Sequence, residues 1–336
     1  MGCAEEVFEI HYYLEDYSHA MNAGVRNKCE AELLVIFQEV CSSLGFDVSV
    51  ETTAYSEGGL RECWQFLSRE AVPIGVILAI LSSLISIATT VLSRIPISDV
   101  DKEAREKEIQ ELTIVEKKLA VEEKRLILKK LSKEIEEGKV QKETIAKTAK
   151  AIEKNHKIQT RKSNFFKSLN SYNKVTAVGF TTLNKNKSPL EEEVFIARSE
   201  FSKFVLINNE LPAEVVEGAI IEIVAPVLRE GNYKWKGIFK GKPISFWMSD
   251  PEYKDQVLNR LVSFQRGNSI ECVLHINKKV TDIGELEISG YSVKNVLGFF
   301  NETGFVETPL GKKYRTGKKF EKSQLTLFDK GTDVDT

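Results

Sequence analysis

Hydrophobic and polar positions change period several times along the chain, and the changes divide it into segments. Over VFEIHYYL (7–14) and DVSVETTAY (47–55) apolar and polar residues alternate, the period of half-buried strands. Between them Val25, Cys29, Leu33, Ile36, Val40 and Leu44 recur at steps of three and four, which predicts an amphipathic helix. A small α/β domain over 1–70 follows. It closes with a turn at Gly58-Gly59 and a short helix containing Trp64 and Phe66.

Periodicity then gives way to a block, EAVPIGVILAILSSLISIATTVLSRIP, with no charged side chain between Glu70 and Arg94. At about 1.5 Å per residue the uncharged stretch makes a helix of roughly 34 Å, against a hydrocarbon core of about 30 Å, which predicts a transmembrane helix over 71–95. The competing reading is a central helix wrapped by the rest of the protein. On a helical projection Gly75, Ala79, Ser82, Ser86, Thr89, Thr90 and Ser93 share one sector, opposite Ile77, Ile80, Leu81, Leu84, Ile87, Val91 and Leu92. Small and hydroxyl residues on one side suit helix packing in lipid, and around an axis they would line a pore. Alternatively, the hydroxyls bond back to their own helix. Arg94, Lys102, Arg105 and Lys107 after the block, against Arg61 and Arg69 before it, place the C-terminal side in the cytoplasm.

Pro96 ends the block, and Ser98 with Asp99, Asp101 and Glu103 supplies an N-cap and an acidic first turn. Residues 98–174 then read as a helical stalk or coiled-coil hairpin. Two seven-residue rows run through its first half: Leu112, Leu119 and Leu126, and Ile114, Val121, Leu128 and Ile135. Gly138 is a turn candidate. Beyond it the bases, Lys147, Lys150, Lys154, Arg161 and Lys162 among them, face only Glu143 and Glu153 up to Lys174, an electrostatic footprint for an anion. The alternative is a solvated face balanced by acids elsewhere, for which Glu191, Glu192 and Glu193 are candidates.

From 175 to 308 strand-like alternation returns and predicts a β-rich ligand-binding domain. Its tract NYKWKGIFKGKPISFW interleaves bases with aromatics, the combination that tracks phosphates and stacks bases in single-strand binders. Tyr233, Trp235, Lys236, Lys240 and Arg266 are the candidate nucleic-acid-binding residues. A strand pair that packs its aromatics inward is the other reading. Residues 309–336 read as a flexible tail.

Composition adds little direction: the net charge is −2, with 42% hydrophobic and 29% charged residues over 336 positions. Five cysteines form no C-x-x-C pair, which predicts reduced thiols, and the opening residues lack the basic region of a secretory leader. The four histidines, His11, His19, His156 and His275, fall in no triad or metal pattern, so no catalytic residue, metal or cofactor is expected.

Taken together, the predicted fold is an α+β membrane protein: α/β head, hydroxyl-striped hydrophobic helix, stalk with a basic half, β-rich terminal domain. This layout resembles the channel-like membrane effectors of bacterial anti-phage defence, of the Hailong type. That resemblance implies a homo-oligomeric ion-conducting pore in the bacterial inner membrane, with a tetramer as the working number. It also implies that the pore is held closed by a single-stranded DNA oligomer made by a partner nucleotidyltransferase. The alternative function is a non-conducting, membrane-tethered adaptor that scaffolds DNA-associated partners. Near the C-terminus, Gln324, Leu325, Leu327 and Phe328 resemble the peptide by which bacterial proteins dock on the replication sliding clamp, with Thr326 standing where Ser or Asp is commoner.

Overall fold

The computed structural model describes residues 2–16, 20–53, 60–68, 72–88, 121–206, 209–262, 264–265, 267–301 and 304–328. The chain forms two compact units: one comprises 1–209 with 280–285, the other 210–279 with 286–336.

The first unit is built on a five-stranded antiparallel sheet of β1 (Gly2–Leu14), β2 (Ser49–Thr53), β3 (Leu60–Ser68), β4 (Val175–Leu183) and β5 (Val194–Ala197), in the order β2-β3-β1-β4-β5. Trp64 and Phe66, expected in a short helix, lie in β3. Their spacing of two puts both side chains on one face, where each is fully buried. Phe8, Ile10 and Tyr12 of β1 and Val178 and Phe180 of β4 complete that face. Over it pack α1 (Ala23–Leu44), α2 (Ile74–Ser86), α4 (Lys142–Glu153) and α5 (His156–Ser171), preceded by the described part of α3 (121–136). The chain turns between α3 and α4 at Gly138 (φ +67°), and Glu134 fastens the turn by accepting from the backbone N–H of Gln141 and the hydroxyl of Thr144. Strands β4 and β5 therefore belong with the N-terminal residues, because β4 pairs with β1 along eight positions from Val7 to Leu14.

The predicted transmembrane helix is overturned here. Within the apolar block the described helix is α2, 13 residues or about 20 Å long, and the backbone is extended again at Ile87. No helix among the described residues is long and apolar enough to cross a membrane. Instead α2 runs through the core: Ile77, Leu78, Ile80, Leu81, Leu84 and Ile85 are all fully buried against the sheet and neighbouring helices. At about 1.5–3 kcal/mol per side chain, those six contribute on the order of 10 kcal/mol of burial. A helix apolar all round needs an apolar environment, and the other helices and the sheet supply it as well as lipid would. This finding also removes the basis for the inner-membrane localisation.

Both ends of α2 are met by charges from elsewhere. The carboxylate of Glu6 lies 2.8–2.9 Å from where a Cβ on Gly75 would stand, in the first turn, where the helix dipole favours an anion. At the other end the Lys162 ammonium donates to the carbonyls of Ile87 (2.8 Å) and Leu84 (3.5 Å).

The second unit contains β6 (Glu210–Ala225), β7 (Trp235–Phe239), β8 (Lys242–Met248), α6 (Pro251–Leu258), β9 (Ser269–Val280), β10 (Leu286–Asn301), β11 (Gly304–Glu307) and α7 (Pro309–Phe328). Its strands run β11-β10-β8-β7-β6-β9, and β9 pairs again with β10, which closes a five-stranded barrel with β11 outside the ring. In chain order the ring reads 1-2-3-5-4-1, its third and fifth strands are parallel, and a helix joins the third to the fourth. That connectivity is the connectivity of the OB barrel. β6 serves both β7 and β9 by bending at three bulges, one of them around Gly218 (φ +65°). Trp235, Phe246, Ile221, Ile270, Cys272, Leu274 and Val293 fill the interior with Tyr253 of α6. Residues 309–328, read as tail from the sequence, are helical, and the hydroxyl of Thr308 caps α7 by accepting from the N–H of Gly311.

Candidate nucleic-acid interface

Strand parity decides which residues of NYKWKGIFKGKPISFW can meet a ligand. β7 and β8 form a hairpin through a two-residue turn, Lys240-Gly241, both with positive φ (49° and 75°) as a type I′ turn requires. Its register pairs Trp235 with Phe246, Lys236 with Ser245 and Ile238 with Pro243. Because successive residues point to opposite faces, Trp235 and Lys236 cannot share a surface. Trp235 points into the barrel and is fully buried, with Phe264 edge-on at 5.6 Å. Its assignment as a base-stacking residue is therefore corrected. Lys236 is exposed on the outer side with Ser245, Trp247 lies half-buried on that same side, and Lys240 is exposed in the turn with its ammonium 5.3 Å from the ring of Phe239.

Trp247 is the aromatic the sequence pattern did not single out, although it closes the tract and has the parity of Ser245. The ammonium of Lys234 stands 5.1 Å from its ring. The β6–β7 connection adds a second pair. Tyr233 is 49% exposed, with the Arg229 guanidinium 5.4 Å from its ring. Gly231 (φ +127°) leaves room for that ring, since a Cβ there would meet it at 2.6 Å, and Lys254 of α6 holds the loop by donating to the Gly231 carbonyl at 3.0 Å. The outer face of β7–β8 and this loop thus present Arg229, Lys234 and Lys236 beside two aromatic rings, with Lys240 and Lys242 exposed at the hairpin end. In the OB barrel the face of the second and third strands and the loop between the first and second hold oligonucleotides and oligosaccharides.

The basic half of the predicted stalk divides differently. Lys147, Lys150 and Lys154 are exposed along α4, with Lys147 paired to Glu143 at 2.8 Å. Arg161 is paired to Glu32 of α1 at 3.2 Å, and Lys162 is fully buried against Glu153 at 3.0 Å, so neither is placed to meet a strand. Burial pushes the Lys162 ammonium's pKa down, which Glu153 opposes. The balancing acids are those on α1 and α4. Glu193 is committed elsewhere: it accepts from the Tyr13 hydroxyl at 2.7 Å and lies 3.7 Å from Nδ1 of His11.

Among the proposed pore-lining positions, Gly75 and Ala79 are partly buried and Ser82 is buried inside the first unit. The Ser86 hydroxyl donates to the Ser83 carbonyl of its own helix at 2.7 Å. Thr89, Thr90, Ser93 and Arg266 lie outside the described residues. Gln324, Leu325, Leu327 and Phe328 fall in the last turns of α7. Among the described residues no group of three or more histidine, cysteine or acidic side chains could hold a metal ion. No family model, curated protein or solved structure matches this chain.

Proposed function

We propose that the second unit binds single-stranded nucleic acid across the outer face of β7–β8. What carries the reading is Trp247 under Lys234 on the ligand-binding face of a barrel with OB connectivity. A base stacked on Trp247 gains dispersion and π contact without regard to sequence, and Lys234, Lys236 and Lys240 meet the phosphates on either side. Duplex DNA keeps its bases stacked on one another and offers this face only its backbone, so single strands bind better.

The test is anisotropy of a labelled oligonucleotide with the full chain. With three phosphates neutralised and about 0.7 counterions released per contact on a single strand, log affinity falls with log salt at a slope of about −2. Trp247→Ala weakens binding by roughly 1–3 kcal/mol if a base stacks there. Binding that ignores salt, is absent at low ionic strength, or survives Trp247→Ala intact overturns the reading.

A further inference from the structure

A face that met only phosphates would be expected to carry bases alone, yet this one has a carboxylate among them. Glu222 is exposed on β6, directly opposite Ile238 of β7, with exposed Ile220 and Val224 to either side of it along its own strand. Lys236 precedes Ile238 on the same face, and exposed Lys240 follows it in the turn. A phosphate brought to Glu222 is repelled, so the strand's backbone must follow the lysines and turn its bases toward β6.

We propose that Glu222 reads the exocyclic amino group of a base, so that the interface prefers strands rich in cytosine or adenine over strands of thymine. The inference rests on the single-strand interface described above. Cytosine N4 and adenine N6 each donate two hydrogens, whereas thymine presents the O4 carbonyl at the corresponding edge, which a carboxylate repels. Charge-assisted bonds of this kind are the stronger class. The apolar side chains of Ile220, Val224 and Ile238 shed water from the contact and give the base a surface to lie on.

Oligodeoxycytidine and oligothymidine of equal length separate this from phosphate binding alone, because their backbones are the same. The full chain binds the cytosine strand about tenfold more tightly, the scale of one good base-edge contact. Glu222→Ala brings the ratio close to one by weakening the cytosine strand while leaving the thymine strand equal or tighter, and Glu222→Gln, which still accepts, falls between. Glu252→Ala, which removes an exposed acid from α6, leaves the ratio unchanged. Equal affinities in the parent, or a preference that survives Glu222→Ala, overturn the role of Glu222 while leaving the interface standing. Failure to bind either strand overturns both.

Discussion

The ammonium of Lys162 donates a 2.8 Å hydrogen bond to the carbonyl of Ile87, at the C-terminal end of α2. Helix ends leave carbonyls without intrahelical partners, and in a buried end water cannot serve them. Lys162 serves two and pairs with Glu153, which is itself buried. Charge, carbonyls and carboxylate form one unit whose parts are costly to separate.

Lys162→Met is accordingly expected to destabilise the first unit by about 3–5 kcal/mol, because it strands the Glu153 carboxylate in the core. Adding Glu153→Leu should recover much of the loss, since a matched apolar pair costs little where a lone charge costs a great deal. Urea midpoints of the parent and both variants check this. A double variant no better than the single one would show that capping the helix, not pairing Glu153, is the larger effect.

A second expectation concerns pH. Glu62 is 2% exposed, and burial pushes its carboxyl up to about 7, a rise that the hydrogen bond from Trp64 Nε1 (3.0 Å) opposes but does not cancel. A raised folded-state value means the neutral form is the one the fold prefers. The associated stability is full below about 4.5 and is lost as pH rises through about 7, a total of about 3 kcal/mol by linkage. Glu62→Gln should flatten that decline between pH 5 and about 8 in thermal melts. A parent whose stability rises over this range would contradict the assignment.

The two tryptophans of the β7–β8 hairpin should behave oppositely. Trp235→Ala empties the barrel core and is expected to cost about 3–5 kcal/mol of stability. Trp247→Ala, on the outer face, should leave stability within about 1 kcal/mol while weakening single-strand binding. Denaturation and binding measured on the same two variants distinguish the faces.

Gly179→Ala tests the contacts of Glu193 with Tyr13 and His11. A Cβ at this position overlaps the Glu193 carboxylate, which now bridges His11 and Tyr13. Burial first, and then the bond to Glu193, hold the Tyr13 hydroxyl up at about 12. Displacing Glu193 should bring its ultraviolet titration down toward the ordinary tyrosine range. An unchanged titration would mean that burial alone sets the value.

By itself the sequence determined the local elements whose period is unambiguous. The alternation of Phe8, Ile10 and Tyr12 and the three-and-four spacing of Cys29, Leu33, Ile36 and Val40 are both present as strand and helix, because each requires only one buried face. It also marked α2 as a helix that must avoid water. Whether lipid or protein surrounds such a helix depends on what the rest of the chain lays over it, and tertiary packing placed Glu6, Lys162, α4 and the sheet there. The outer face of β7–β8 followed the same division. Composition pointed to the tract, but only pairing register, with Trp235 opposite Phe246, decided that Trp247 and not Trp235 lies on the outer face, since a shift of one residue along a strand exchanges its two sides.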